Sequence, residues 1–327
     1  MSALAWVVGR GGLLGSSVER ALGPGAWRPE RPLAWSSREG LADSTAHAVR
    51  GFAARLGAIS GDGWSLFWCA GAGVVGSSAA ELESENTSLR LFLDRLDTEP
   101  RLMDLPGRIF LASSAGGVYG GSLGRPLTED TTPRPISDYG RAKLAQEETL
   151  LSWARGRPRV STLVGRLANL YGPGQSLDKP QGLISHMSRC LIFGVPVHVY
   201  VPLDTIRDYL YAGDAGRRVV AGLERLSREA PERRHVTKIY ASERETSVAG
   251  LLGAFRRLGK RQLRVVSGLH PVGTQQPARL QFRSTVWRDE AVSGRTQLLE
   301  GVSRVHRHQL ALFQAGRLPA PPLRTPR

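Results

Sequence analysis

The sequence predicts an α/β fold in which a doubly wound parallel sheet is covered by helices on both faces. Short apolar runs alternate with helix-compatible segments such as 78–97 and 138–155, which is the rhythm of βαβ units. The strand candidates lie near 4–8, 31–35, 65–69, 108–113, 160–165 and 237–240. A chain of 327 residues with 41% hydrophobic content can bury a large core around such a sheet.

The first strand candidate runs directly into a glycine-rich turn. Leu4-Ala5-Trp6-Val7-Val8 is a continuous apolar run, typical of a strand buried on both faces. Gly9, Gly12 and Gly15 follow, and 16–22 is compatible with a helix. Glycines let the backbone approach a pyrophosphate, and a helix N-terminus offers N–H donors to it. A flexible loop is the alternative, but the position next to a strand favours a dinucleotide site.

The second strand candidate, Leu33-Ala34-Trp35, bears on the choice between NAD and NADP. A turn that recognises the unphosphorylated ribose of NAD would place Asp or Glu after this strand. Here Ser36-Ser37-Arg38 follows, and hydroxyls with a guanidinium can bind a 2′-phosphate. Ser37 and Arg38 therefore favour NADP over NAD. The alternative is that these residues only open the next loop.

The stretch from Asp43 to Trp64, which precedes the strand candidate at 65–69, is too short for an additional regular strand. Asp62 is a candidate for a contact with adenine, although the sequence does not fix the register of Asp62 relative to the following strand.

Tyr139 and Lys143 stand four residues apart within a predicted helix, so they share one face. A phenol is a poor base at neutral pH unless its anion is stabilised. An ammonium about 4 Å away would contribute on the order of 4 kcal/mol at an effective dielectric near 20. The pair therefore predicts general acid–base chemistry downstream of the dinucleotide site.

Further motifs accompany the glycine spacing and the Tyr139/Lys143 pair along the chain. They are Trp68-Cys69-Ala70-Gly71, Asn86, Ser113-Ser114-Ala115-Gly116-Gly117-Val118-Tyr119-Gly120, the segment 166–175, Arg207-Asp208-Tyr209 and Gly213-Asp214. Together, from about residue 4 to about residue 314, these motifs resemble the extended short-chain dehydrogenase/reductases, and within them the NAD-dependent epimerase/dehydratase family. The resemblance implies a Rossmann fold and hydride chemistry on a nucleotide-linked sugar.

The resemblance also implies a role for each matching residue. Tyr139 would be the acid/base, and Lys143 would bind the nicotinamide ribose and favour the ionised phenol. Asn169 and Arg207 would contact the substrate diphosphate; the alternative for Arg207 is an exposed arginine beside Asp208. The cofactor-binding residues would be Gly9, Arg10, Gly12, Leu13, Leu14, Gly15, Ser37, Arg38, Cys69, Ala70, Gly71, Tyr139 and Lys143.

One catalytic position departs from the family pattern. The hydroxyl that polarises the substrate oxygen normally stands where this chain has Ala115. Ser114, or else Ser113, must take its place, or the site is altered. The same replacement disfavours a 4,6-dehydratase.

Composition excludes several other classes of function. No apolar run reaches the 18 residues of a membrane span, and the N-terminus lacks the basic region of a signal peptide, so a cytoplasmic location is expected. The net charge of +15 is spread along the chain, which argues against a nucleic-acid partner. Cys69 and Cys190 are expected to be free thiols, and no metal site is expected.

The sequence predicts a dinucleotide-binding domain from 1–169 and about 203–250. A smaller, discontinuous substrate region would comprise 170–202, with a helix at 183–193, and 251–316, and a disordered tail would follow at 317–327. An epimerase acting on a nucleotide sugar, as a homodimer, is the first interpretation. An NADPH-dependent reductase of a keto-sugar nucleotide, or a non-catalytic NADP-binding sensor or scaffold, is the alternative.

Overall fold

Six parallel strands form the central sheet of the computed structural model, which describes residues 3–59, 61–177, 182–258, 263–268, 277–288 and 295–321. They are β1 (Leu4–Val8), β2 (Ala26–Trp27), β3 (Trp64–Trp68), β4 (Gly107–Ser114), β5 (Val160–Leu167) and β9 (His235–Tyr240). Their order is β2-β1-β3-β4-β5-β9. The chain leaves β1 in one direction and returns on its other side at β3, so the order reverses there. The predicted doubly wound Rossmann fold is confirmed.

Helices cover both faces of this sheet and enclose two apolar cores. They are α1 (Leu13–Leu22), α2 (Arg38–Ala58), α3 (Ala79–Leu96), α4 (Pro100–Asp104), α5 (Ala115–Val118), α6 (Asp138–Arg155) and α8 (Ala212–Leu226). α1 and α8 pack together on one face, and α2, α3 and α6 pack on the other. The contact between α1 and α8 is close, since a Cβ atom on Gly216 would lie 2.4 Å from the Ser17 carbonyl oxygen.

Serine caps fix where three of these helices begin. Ser37 and Ser137 accept hydrogen bonds from the Gly40 and Gly140 N–H groups. Ser78 forms a reciprocal capping box with Glu81 at the start of α3. A cap of this kind contributes about 1 kcal/mol and sets the helical register. Ser137 thereby fixes the direction in which the first turn of α6 presents its side chains.

A second group of elements surrounds a third apolar core. It comprises β6 (Asn169–Tyr171), α7 (Leu183–Phe193), β7 (Val197–Val199), β8 (Ile206–Tyr211), β10 (Glu245–Ser247), α9 (Val248–Leu258), β11 (Val265–Ser267) and α10 (Leu298–Gln314). Strands β10, β8 and β6 form one small sheet, and β11 pairs with β7. The boundaries predicted for the two regions stay a prediction.

Most predicted elements are confirmed, but the second strand is misplaced. No strand forms at 31–35; β2 is the two-residue strand Ala26–Trp27, which pairs with β1. Pro29 follows β2 closely, and Pro32 lies within the predicted strand. Neither has the N–H group that a strand needs for its ladder of hydrogen bonds. The apolar Leu33 packs against the core from a loop and not from a strand.

As expected, the described residues between Asp43 and β3 form no additional strand. Arg38–Ala58 is one continuous helix, and the chain re-enters the sheet at Trp64. The prediction that Asp62 contacts adenine is wrong. Asp62 precedes β3 and lines a surface pocket with Gly107 and Ser161, at the amino edge of the sheet. The glycine turn lies at the opposite, carboxyl edge.

Three smaller expectations can be compared with the structure. Both cysteines are free. In the described part of the chain, no helix has the length and hydropathy needed to cross a membrane. Of the tail expected to be disordered, 317–321 is described and Leu318 is buried, whereas 322–327 lies outside the described residues.

Candidate functional site

The glycine turn after β1 leaves no room for side chains at two positions. Gly9 has a φ of 84°, and a Cβ atom there would lie 2.5 Å from the Ala70 nitrogen. A Cβ atom on Gly15 would lie 2.2 Å from the Gly9 carbonyl oxygen. The turn is therefore pressed against the segment that follows β3. This cradle, at the point where the strand order reverses, fits the pyrophosphate of a dinucleotide.

The helix behind this turn presents its N-terminus to the same crevice. Gly12 is the N-cap of α1, and none of the described side chains caps it or adds an acidic group to its first turn. First-turn N–H groups in this arrangement bind anions. Leu13 and Leu14 begin the helix, and Leu14 is buried in the core beneath it. Cys69 and Ala70 are half-buried on the other side of the crevice, followed by the exposed Gly71.

Tyr139 and Lys143 lie on one face of α6, toward the carboxyl end of β4. The Tyr139 ring packs on Gly117, where an added Cβ atom would lie 3.1 Å from the ring. The Lys143 side chain is buried, and its Nζ lies 5.8 Å from the centre of the Tyr139 ring. A Cβ atom on Gly71 would lie 3.4 Å from the same Nζ. The structure therefore brings Tyr139, Lys143 and Gly71 together.

Glu85 also belongs to this cluster and was missed by the sequence reasoning. Its Oε2 lies 3.8 Å from Lys143 Nζ, and its Oε1 accepts a hydrogen bond from the Gly73 N–H. Gln146 Oε1 accepts a hydrogen bond from Lys143 Nζ at 3.0 Å. Glu85 thus ties the loop after β3 to the ammonium on α6. It directly precedes Asn86, one of the motif residues, but no spacing rule connects it to Lys143.

The two candidate serines at the end of β4 face different surroundings. The Ser113 hydroxyl donates to Glu147 Oε1 at 2.5 Å and is buried. The Ser114 hydroxyl accepts the Gly117 N–H at 3.1 Å, which leaves its own proton available to donate. The Tyr139 ring packs on Gly117, so the Ser114 hydroxyl lies on the same side of β4 as Tyr139. Ala115 is fully buried as the first residue of α5.

A buried ion pair supports this part of the site from below. Arg166 on β5 donates to both carboxylate oxygens of Glu147 on α6, and also to the Tyr119 hydroxyl. Burial raises the pKa of the Tyr119 phenol, and the Arg166 guanidinium opposes that rise. With Ser113, the network joins β4, Tyr119 at the end of α5, β5 and α6, so it holds the helix that carries Tyr139 against the sheet.

The predicted substrate residues lie on the neighbouring strands β6 and β8. Asn169 is exposed, and its Oδ1 lies 3.9 Å from a Cβ position on Gly116. Arg207 is only 7% exposed, and burial lowers the pKa of its guanidinium. Asp208 instead accepts the N–H groups of Ser242 and Arg244. The alternative of an exposed arginine beside Asp208 is therefore wrong.

Two arginines near the end of β2 supply the positive charge that the sequence analysis assigned to Arg38. Ser37 caps α2 and Arg38 opens it, both exposed, but the residue directly after β2 is Arg28. Arg28 Nε and Arg10 Nη1 contact Glu19 Oε1 at 2.9 and 3.1 Å. Two guanidiniums therefore share one carboxylate beside the glycine turn. The wrong position for the second strand concealed Arg28.

Within the described residues, no cluster of three His, Cys, Asp or Glu side chains could hold a metal ion.

Comparison with known proteins identifies the family. A family model described as "NAD dependent epimerase/dehydratase family" matches residues 72–236, half of the chain. The chain belongs to this family. The curated relatives of this family member include the dTDP-4-dehydro-6-deoxyglucose reductase of Escherichia coli, 32% identical over 117 residues, which are 36% of each chain. The dTDP-L-rhamnose 4-epimerase of Burkholderia thailandensis is 33% identical over 132 residues, 40% of this chain and 32% of the relative. These matches span about a third of the relatives' length.

Solved structures match over nearly the whole chain but at low identity. MoeE5 in complex with UDP-glucose and NAD has a TM-score of 0.73 at 23% identity, covering 95% of this chain and 100% of that one. The UDP-glucose 4-epimerase of Stenotrophomonas maltophila has a TM-score of 0.75 at 19% identity, covering 96% and 100%. RMD from Pseudomonas aeruginosa, complexed with NADPH, has a TM-score of 0.71 at 19% identity, covering 94% and 98%. This likeness supports the fold of the epimerase/dehydratase family.

Proposed function

We propose that this protein transfers a hydride between a nicotinamide cofactor and a sugar carbon of a nucleotide-linked hexose. The observation that carries the proposal is the position of Tyr139. Its ring lies on Gly117 beside the buried Lys143, whose ammonium borders the loop facing the glycine turn. An acid–base pair next to a dinucleotide cradle suits alcohol–ketone chemistry.

The residues of this chain would divide the work between proton transfer and positioning. The nicotinamide ring, when bound, supplies the hydride acceptor or donor. Tyr139 takes the proton of the sugar hydroxyl as the carbonyl forms, and returns it on reduction. Lys143 stabilises the phenolate by its positive charge. The Ser114 hydroxyl donates a hydrogen bond to the reacting oxygen, in the place of the hydroxyl missing at Ala115.

The residues on β6 and β8 favour a nucleotide diphosphate as the part of the substrate that the protein binds. Arg207 is a buried guanidinium, whose fork pairs with phosphate oxygens bidentately, and Asn169 lies near Gly116 at the cleft. The matched relatives act on dTDP- or UDP-linked sugars, which supports the same class here. Epimerisation, with the hydride returned to the sugar, is the first candidate.

Two alternatives rest on particular features. The arginines around the NADP ribose position favour an NADPH-dependent reductase of a keto-sugar nucleotide. Ala115 favours a non-catalytic NADP-binding sensor or scaffold. The intact Tyr139/Lys143 pair argues against the latter. The homodimer and the cytoplasmic location stay predictions.

The first test compares wild type with Tyr139→Phe on a panel of UDP- and dTDP-hexoses and their 4-keto forms. We expect kcat to fall by about 10²- to 10⁴-fold, because general acid–base catalysis is lost, while cofactor affinity is retained. Tyr240→Phe serves as a matched control, since Tyr240 is a fully buried tyrosine on β9 that packs against Gly222 on α8. A product isomer without net cofactor turnover identifies an epimerase; consumption of NADPH identifies a reductase.

Equal turnover by wild type and Tyr139→Phe would remove Tyr139 from the mechanism. A wild-type protein that binds cofactor but turns over no sugar nucleotide would favour the sensor or scaffold.

The cofactor is proposed to be NADP, with NAD as the alternative. Arg28 stands where an NAD-specific turn would carry Asp or Glu, and Arg10 contacts the same Glu19 carboxylate as Arg28. Arg28 and Arg10 share one carboxylate, that of Glu19, so these three side chains together carry a net positive charge. A 2′-phosphate would be attracted to it, whereas a carboxylate at this position would repel it.

The cofactor test measures the dissociation constants of NADPH and NADH by calorimetry. We expect NADPH to bind at least about tenfold more tightly, which corresponds to one charge-assisted hydrogen bond. Arg28→Ala should reduce this preference, whereas Arg50→Ala, an exposed arginine on α2, should not. Tighter binding of NADH by wild type would contradict the proposal.

A further inference from the structure

An exposed tryptophan stands at the carboxyl edge of the central sheet. Trp35 is 49% exposed, whereas Trp6, Trp64 and Trp68 are buried. Its ring lies 6.1 Å from the ring of Trp68, edge to face at 71°. Trp68 is the last residue of β3 and directly precedes Cys69 in the crevice. Trp35 therefore lies beside the crevice, on the side covered by α2 and α3.

The backbone around Trp35 is anchored rather than free. The Ala34 N–H donates to the Ser44 hydroxyl at 3.0 Å, and the Ala34 side chain packs near Gly40 on α2. Leu33 packs against the core below. A large aromatic ring is thus held with much of its surface in water, although covering such a surface would be favourable. This arrangement suits a flat apolar ligand.

We propose that Trp35 is the platform on which the adenine ring of the bound dinucleotide stacks. This inference rests on the proposed function. With the pyrophosphate at the glycine turn and the adenosine ribose at the end of β2, the base projects toward the rim beyond these strands. Trp35 is an exposed aromatic on that rim, and Asp62 lies at the opposite edge of the sheet. Stacking needs only the face of the base.

Ligand fragments separate the two halves of the site. 5′-ADP carries the adenine without the nicotinamide, and reduced nicotinamide mononucleotide carries the nicotinamide without the adenine. For Trp35→Ala we expect about tenfold weaker binding of 5′-ADP and of the preferred dinucleotide, and unchanged binding of the mononucleotide. Trp35→Phe should keep most of the affinity. Phe313 on α10 is an aromatic of similar exposure, so Phe313→Ala is the control and should change none of these affinities.

Tryptophan fluorescence gives a second readout that does not depend on a folded alanine variant. Quenching by 5′-ADP should be present in wild type and greatly reduced in Trp35→Phe. If Trp35→Ala binds 5′-ADP as tightly as wild type does, the stacking role is overturned, and a protein partner becomes the explanation for the exposed ring. If Trp35→Ala loses affinity for both 5′-ADP and the mononucleotide, the stacking role is overturned as well. A wild-type protein that binds neither fragment and no dinucleotide would overturn the proposed function instead.

Discussion

At the scale of single residues, the adjacent serines 113 and 114 show how strand alternation separates two similar side chains. Successive residues of β4 point to opposite faces. Ser113 therefore turns to Glu147, and Ser114 turns to the cleft side, where it caps the short helix under Tyr139. The sequence offered both hydroxyls as replacements for Ala115. The three-dimensional partners of the two hydroxyls favour Ser114.

Ser114→Ala tests the proposed donor to the reacting oxygen. We expect kcat to fall by about 10²- to 10³-fold, since a preorganised donor to developing charge is lost, with cofactor affinity unchanged. Turnover of the sugar nucleotide identified by the substrate panel provides the measurement.

Ser113→Ala is the matched control on the neighbouring residue. It removes one donor to a buried carboxylate that Arg166 still contacts, so we expect kcat to be kept and stability to fall by about 1 kcal/mol. A Ser114→Ala enzyme with wild-type turnover would eliminate this hydroxyl from the mechanism.

Glu85 illustrates what residue-level reading could not find. Tyr139 and Lys143 were predictable because both lie on one helix, where spacing of four fixes a shared face. Glu85 comes from α3, and its contacts with Lys143 and Gly73 depend on how α3 packs against α6. No local rule relates these positions. Cross-helix partners become visible only with the packing.

At the scale of elements, the sequence predicted well those strands that are buried on both faces. β1 is a continuous apolar run, β3 is buried along its whole length and β4 along most of it, and their limits agree with the prediction to within one residue. The helix at 138–155 agrees at both ends, because Ser137 caps its start and Gly156 follows its last residue. Strong local signals therefore fixed most of the sheet.

β2 could not be recognised by the same rule. It has two residues at the edge of the sheet, both half-buried, so it carries no apolar run. The run at 33–35 looked like a strand because Leu33 packs on the core and Trp35 is aromatic. This single error also hid Arg28 and gave Ser37 and Arg38 more weight than their distance from the strand supports.

At the scale of the whole molecule, the cleft is assembled from segments far apart in the chain. The segment 277–288 crosses the carboxyl edge: Phe282 bridges Leu127, and Arg279 bridges Ile206 on β8. Leu280 lies 3.6 Å from a Cβ position on Gly116. Such long-range contacts carry no sequence signal, which explains why the substrate region was predicted only as a discontinuous outline.

Asp208 joins the small sheet to the loop that follows β9, so it bears on the stability of the whole fold. It is 2% exposed, and burial raises the pKa of its carboxyl to about 6, although hydrogen bonds from Ser242 and the residues after it counteract part of the rise. An aspartate in the unfolded chain has a pKa of about 3.9. Since the folded value is the higher, the stabilising contribution of the protonated form is complete below about pH 4 and is lost as the pH rises through 6.

Asp208→Asn removes this titration and keeps one oxygen acceptor for the backbone N–H groups. We expect the free energy of unfolding of the variant to rise relative to wild type between pH 4 and pH 7, by up to about 3 kcal/mol, because two pKa units correspond to that amount. Urea unfolding at four pH values measures the difference. Asp94→Asn, an exposed carboxylate on α3, is the control and should show a nearly constant difference. A constant or falling difference for Asp208→Asn would mean that the buried carboxylate is ionised in the folded protein at no cost, held by the N–H groups of Ser242 and Arg244.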